Sequence, residues 1–324
     1  MNILFEIFML AVGFVLLIKG ADWFVEGASS IAERFGIPQL VIGLTIVAMG
    51  TSAPEAAVSI ASAFKGTADI AVGNVLGSNI LNILIILGIT AVITKVPVQK
   101  STVKYEIPFV LFISILMGVL GFFGNSLSRL DGIILWVFFI AYFIYLVKMA
   151  KADQAAGLAT DGLTVDTIVP QAENTDRANS LAKSIVATVV GVAVIILGSD
   201  VAVDSATVIA ETLGMSERFI GLTVVALGTS LPELVTSITA ALKGKTDIAI
   251  GNIVGSNIFN ILFVLGTAAL VIPLDYASSF MFDTVVASLA VVMLFVSVLR
   301  KKMLGRAAGI IMLIAYAAYF CYII

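Results

Sequence analysis

Residues 43–84 read GLTIVAMGTSAPEAAVSIASAFKGTADIAVGNVLGSNILNIL, and residues 221–262 read GLTVVALGTSLPELVTSITAALKGKTDIAIGNIVGSNIFNIL. The two stretches align without a gap at a constant offset of 178 residues, and most paired positions are identical. The first helical run of each sets one acid (Glu55, Glu233), one proline (Pro54, Pro232) and several hydroxyls among otherwise apolar residues. An ionisable group inside such a run is costly in lipid and marks a functional position by default. This chain carries the arrangement twice.

The composition places those runs in a membrane. The 324 residues are 60% hydrophobic and 12% charged, with a mean hydropathy of +1.13, whereas water-soluble domains carry about 25% charged residues. Apolar stretches of about 20 residues, enough to cross a hydrocarbon core of ~30 Å, recur along the chain. They are continuous rather than alternating, so they read as helices and not as the strands of a barrel. The net charge is −3 and no basic face offers itself to nucleic acid. The one cysteine, Cys321, excludes an internal disulfide, and with no histidine there is no metal-site spacing of the Cys/His kind. No nucleophile–base pair suggests an enzyme. The first apolar run lacks a basic leader and a small-residue cleavage signal, so it reads as a retained helix.

Ten spans are predicted, at about 3–30, 39–64, 69–93, 106–123 and 131–149, then 182–212, 218–242, 247–272, 280–299 and 305–323. Residues 151–180 are polar and read as a flexible linker between a first unit, 1–150, and a second, 181–324. The repeat reaches beyond the opening motif: Gly20 and Asp22 recur as Gly198 and Asp200, and Ile31, Ala32 and Glu33 as Ile209, Ala210 and Glu211. The expected architecture is therefore all-α and polytopic, ten helices in two five-helix repeats. An odd number per repeat inserts the second copy upside down, as in many secondary transporters.

Loop charges orient it. With the N-terminus outside, the inner loops hold Arg34, Lys95, Lys100, Lys104, Lys148, Lys151, Arg177, Lys183, Lys243, Lys245, Arg300, Lys301, Lys302 and Arg306. The outer loops hold only Lys65, Arg129 and Arg218. The excess of Lys and Arg puts both termini outside and residues 151–180 in the cytoplasm.

Helical spacing then selects a face. Ala48, Thr51, Ser52 and Glu55 stand at i, i+3, i+4 and i+7, as do Ala226, Thr229, Ser230 and Glu233. Pro54 and Pro232 loosen their helices near Gly50 and Gly228 and turn carbonyl oxygens inward. The following helix adds Ser78 with Asn82, and Ser256 with Asn260, each pair at i, i+4. Gly73, Asn74 and Gly77, with Gly251, Asn252 and Gly255, allow close approach or a helix break. Carboxylate, hydroxyl, amide and carbonyl oxygens suit hard cations such as Ca²⁺ and Na⁺. Two alternatives stand beside this reading: protonated glutamates tying helices together, and small polar residues serving only as packing glue. Two carboxylates balance one Ca²⁺, and several Na⁺ ions fit the same oxygens, which suggests competition and antiport. Asp22, Glu26, Asp200 and Asp204 could line an ion entry path in the first and sixth helices, while Asp22 and Glu26 could equally pair locally with Lys19 or snorkel toward a helix end. A Ca²⁺/H⁺ antiporter and a cation channel are the rival functions. No cofactor, nucleic acid or obligate protein partner is expected; the partners are Na⁺, Ca²⁺ and the bilayer.

At GTSAPE (50–55) with GNVLGSNILN (73–82), and GTSLPE (228–233) with GNIVGSNIFN (251–260), the chain resembles the cation/calcium exchanger superfamily, most closely its prokaryotic-type sodium/calcium exchanger branch. The resemblance implies ten helices, alternating access, and Ca²⁺ extrusion driven by Na⁺ entry across a prokaryotic cell (inner) membrane. It implies Glu55 and Glu233 as shared Ca²⁺ and Na⁺ ligands. Hydroxyls of Thr51, Ser52, Thr229, Ser230, Ser78 and Ser256 would serve Na⁺, with the carbonyls of Ala48 and Ala226 and the amides of Asn82 and Asn260 completing the site. The first and sixth helices would move together. Some prokaryotic members carry Asp where this chain has Asn260. The proton-coupled branch typically reads GNxxE where both copies here read GTSxPE, and the large regulatory loop of animal exchangers is absent.

Overall fold

A computed structural model describes residues 3–65, 68–161, 174–213 and 226–323. The helices are α1 (Ile3–Phe35), α2 (Gln39–Thr51), α3 (Ala53–Phe64), α4 (Ile70–Ile93), α5 (Thr102–Phe122) and α6 (Arg129–Asp161). They continue as α7 (Asn174–Thr212), α8 (Ala226–Thr229), α9 (Leu231–Leu242), α10 (Thr246–Val271), α11 (Ser278–Leu299) and α12 (Arg306–Ile323). Among the described residues, eight helices are long and apolar enough to cross a membrane, and α2 with α3 makes a ninth as one bent span. The expected span 218–242 is described only from residue 226, as α8 and α9. Of the residues read as a flexible linker, 151–161 belong to α6 and 174–180 to α7, and 162–173 lie outside the described residues. Ala- and Gln-rich sequence after Lys151 is compatible with helix once the preceding turns nucleate it.

The helices form a layered bundle sorted by polarity. Of the most apolar 18 residues, 94% are buried in α10 and 72% in α4, against 22% in α1 and α6 and 11% in α12. The two central helices thus carry the Gly-, Ser- and Asn-rich motifs, while the outer ones turn Leu, Ile and Phe outward, as lipid requires. α10 packs along α2, α5 along α11, α12 against α4 and α6 against α10. Close approach at the centre needs glycine: a Cβ on Gly255 would lie 2.8 Å from the Leu44 Cα and from the Ala48 Cβ.

α1 and α7 form a long antiparallel pair of their own. A Cβ added to Gly20 would meet the Ile195 nitrogen at 2.8 Å, and one on Gly191 the Phe24 nitrogen at 2.6 Å. Small residues at such a crossing let backbones touch, which is the main source of helix association where water supplies no drive.

Four two-residue strands tie the loops: β1 (Val96–Pro97), β2 (Ser126–Leu127), β3 (Leu274–Asp275) and β4 (Met303–Leu304). β1 pairs antiparallel with β4, and β2 with β3. Each ladder therefore joins a loop of residues 1–150 to a loop of residues 181–324. β1 precedes α5 and β2 follows it, so the two ladders sit at opposite ends of that helix. This puts loop 94–100 beside loop 300–305, and loop 123–128 beside loop 272–277.

Candidate cation site

The bend between α2 and α3 is 52°. It falls at Ser52 (φ −82°, ψ 10°), two residues past the expected point at Gly50, because Pro54 starts α3 in its first turn. Ser230 does the same in the second half (φ −93°, ψ 4°), with Pro232 in the first turn of α9. The carbonyl that Pro232 leaves without an amide partner, that of Gly228, accepts the Ser199 hydroxyl at 2.8 Å. Glu55 and Glu233 thereby stand in the first turns of α3 and α9, where the helix N-terminus favours negative charge.

Both acids are buried, at 1% and 0% exposure, and cross-linked between halves. The Ser52 hydroxyl donates to Glu233 Oε1 at 2.7 Å, and the Ser230 hydroxyl to Glu55 Oε1 at 3.2 Å. Ser230 Oγ also lies 3.5 Å from Ser78 Oγ. The amides repeat the exchange. Asn82 Nδ2 donates to Asn257 Oδ1 at 2.9 Å and Asn260 Nδ2 to Asn79 Oδ1 at 3.3 Å, while Asn79 and Asn257 donate to one another's backbone carbonyls at 3.4 and 3.2 Å. Beneath each acid, Asn74 binds Ser59 and the Glu55 carbonyl, and Asn252 binds Ser237 and the Glu233 carbonyl.

Four buried side-chain oxygens among these groups have no hydrogen-bond partner: Glu55 Oε2, Glu233 Oε2, Asn82 Oδ1 and Asn260 Oδ1. The Asn82 and Asn260 amide nitrogens each donate to the Asn79–Asn257 bridge, and their oxygens are left without a partner. Unpartnered buried acceptors cost free energy, and a cation is the ligand that satisfies several at once. Among the described residues neither acid forms an ion pair; the three ion pairs all lie on α1.

The other expected residues are placed unevenly. Thr51 Oγ1 lies 3.1 Å from the Val47 carbonyl and 3.0 Å from Asn252 Oδ1 on α10. Ser256 donates to the Ala48 carbonyl at 3.4 Å, which already accepts the Ser52 amide at 3.0 Å, so this carbonyl is engaged within the protein. Thr229 is half-buried at the end of α8, and Ala226 opens that helix, its side chain lying outside the described residues. Asp22 and Glu26 pair with Lys243 rather than Lys19, at 3.1 and 2.9 Å. Asp200 and Asp204 are exposed on α7.

Sequence reading missed Asn79, Asn257, Ser59 and Ser237, although each recurs at the offset of 178 and was detectable by it. It also missed Glu106, a buried acid whose carboxylate accepts the Tyr145 hydroxyl. Its counterpart at the same offset is Thr284, which bonds Tyr276, so no repeat drew attention to it. Each of the asparagines Asn82 and Asn260 begins a stretch of widened, π-helical turns, 82–87 and 260–265, a distortion frequent at functional sites.

The family pattern described as "Sodium/calcium exchanger protein" matches residues 5–148 and 183–324. The chain belongs to the sodium/calcium exchanger family. Among its relatives within that family, the sodium/calcium exchanger MaX1 of Methanosarcina acetivorans is 33% identical over 96% of each chain. The inner membrane protein YrbG of Escherichia coli (strain K12) is 37% identical over 94% of this chain and 92% of its own. A solved structure of the sodium-calcium exchanger NCX_Mj superposes with a TM-score of 0.82, at 31% identity and over 99% of both chains. The family's members are transporters and not enzymes, and this chain is an integral membrane cation exchanger with an all-helical fold.

Proposed function

We propose that the chain is a secondary active antiporter that exchanges Na⁺ for Ca²⁺ by alternating access at a midplane site built around Glu55 and Glu233. The observation that carries this is the set of four unpartnered buried oxygens, two from each half, all acceptors. Their donor chemistry, two carboxylates and two amides, suits a hard cation and offers nothing to a soft one. One Ca²⁺ neutralises the two carboxylates. Na⁺ ions on the same oxygens, helped by the hydroxyls of Ser52, Ser230, Ser78 and Ser256, neutralise them equally well, so the two cargoes exclude one another. Thr51, Thr229 and the carbonyls of Ala48 and Ala226 belong to the same surroundings and take part as the helices shift.

The same reading takes 1–150 and 181–324 as inverted five-helix repeats joined by a cytoplasmic segment 151–180, ten spans in all, with both termini outside. The loop pairing supports it: β1 pairs with β4 and never with β3, its own counterpart at the offset of 178. Matching loops of the two halves thus lie at opposite ends of the bundle.

The test is ⁴⁵Ca²⁺ uptake into proteoliposomes. An outward Na⁺ gradient drives uptake, and a pH gradient alone does not; the reverse result identifies a Ca²⁺/H⁺ antiporter, and uptake without any counter-ion a channel. Glu55→Gln and Glu233→Gln each abolish uptake while size-exclusion profiles stay unchanged. Near-normal uptake by either variant would sink the shared site.

A further inference from the structure

The Lys243 ion pairs have an unmade twin. Lys243 follows α9 and reaches Asp22 at 3.1 Å and Glu26 at 2.9 Å on α1, clamping α1 along α9. Every member of that cluster has a counterpart at the offset of 178: Lys65 for Lys243, Asp200 for Asp22 and Asp204 for Glu26. Lys65 follows α3 as Lys243 follows α9, and Asp200 and Asp204 lie on α7 one turn apart, as Asp22 and Glu26 do on α1. Among the described residues the second cluster is not formed: Lys65, Asp200 and Asp204 are all exposed, and α7 does not lie along α3 as α1 lies along α9. The neighbouring pair Lys245–Glu33, at 2.9 Å, has no charged counterpart for its lysine, since position 67 is Thr.

We infer that Lys65 closes on Asp200 and Asp204 in the opposite transport state, and that the two clusters are latches of which one is made at a time. The physical reason lies in the glycine seam. α1 and α7 touch backbone to backbone at Gly20 and Gly191, so they shift as one body. A displacement that carries Asp22 and Glu26 away from Lys243 brings Asp200 and Asp204 toward Lys65. Because the two lysines stand on opposite sides of the membrane, each latch holds one mouth of the site shut. The extra Lys245–Glu33 pair biases the resting protein toward the arrangement seen here. This inference rests on the alternating-access reading above.

Cross-linking tests it independently of which cations are carried. In a Cys321→Ser background, Lys65→Cys with Asp200→Cys is treated in membranes with a short bis-methanethiosulfonate, since a lysine–aspartate pair holds its Cα atoms beyond the ~7 Å limit of a disulfide. The control is Lys243→Cys with Asp22→Cys. Both pairs cross-link, exchange stops in each, and reductant restores it. If the control links and the Lys65 pair never does in either ionic condition (high Na⁺ or high Ca²⁺), the second latch does not exist. A charge-swap series checks the electrostatics. Lys65→Glu slows exchange about fivefold, the size expected for one partly exposed pair, and adding Asp200→Lys restores it to within about twofold. Equal slowing in the single and double variants would overturn the proposal, while cross-linking without Na⁺-driven uptake would leave the latches and refute only the assigned cargo.

Discussion

At the residue scale the site depends on amides as much as on acids. Asn257 does two jobs: its nitrogen donates to the Asn79 carbonyl, and its oxygen accepts from Asn82. The second bond fixes which end of the Asn82 amide is left over, and that end is an oxygen. Asn257→Leu removes the constraint while leaving both carboxylates in place. The Ca²⁺ concentration for half-maximal exchange is expected to rise about tenfold, the lower range for losing a group that orients a metal ligand. A shift below twofold in ⁴⁵Ca²⁺ titrations would mean that Asn82 is held by something else. The acids and the Ser78–Asn82 face were legible from helical spacing. Asn79 was not, because it faces the same residue of the other half, and periodicity within one helix cannot announce a contact across a pseudo-dyad.

At the element scale the helix breaks at Ser52 and Ser230 and the widened turns at 82–87 and 260–265 fall where the cargo would sit, while further widened turns lie at 43–47 and 102–106. Pro54 and Pro232 were readable as breaks, yet the bends settle at Ser52 and Ser230, one helix start before each proline. The widened turns after Asn82 and Asn260 had no local signal in residue composition or periodicity. The α1–α7 seam gives a sharper expectation. Gly20→Leu forces a side chain against the Ile195 nitrogen, which a Cβ alone would already meet at 2.8 Å. The pair must separate, and the thermal unfolding midpoint in detergent is expected to fall by about 3–5 °C, as for a destabilisation of ~2–3 kcal/mol in a chain of this size. Substituting Leu at Gly305, where an added Cβ meets nothing within 4 Å, is the matched control and moves the midpoint by less than about 2 °C. Equal shifts for the two variants would contradict a backbone-tight seam.

At the scale of the whole molecule, class and repeat were plain in the sequence, because lipid punishes polar groups so heavily that the few retained stand out. The partition of α6 and α7 was less plain. The end of α6 and the start of α7 have polar, helix-forming composition, and hydropathy registers only the apolar part of each helix. Loop charge spoke to sidedness, whereas the strand pairs show which loops are neighbours.

The strand ladders have a consequence for how the protein is made. Val96 bonds opposite Leu304, and Ser126 opposite Asp275, so the first half leaves the ribosome with two loop edges whose partners do not yet exist. Its central helix α4 also waits, since α12 packs against it and is synthesised long after it. Residues 1–150 alone are therefore an unfinished surface, vulnerable to quality-control proteases until synthesis is complete. Expressing 1–160 and 174–324 as separate chains should show this. Each fragment alone turns over rapidly in pulse-chase labelling, and co-expression gives a stable pair that co-purifies. A long-lived first fragment on its own would mean that the halves mature independently and dock late.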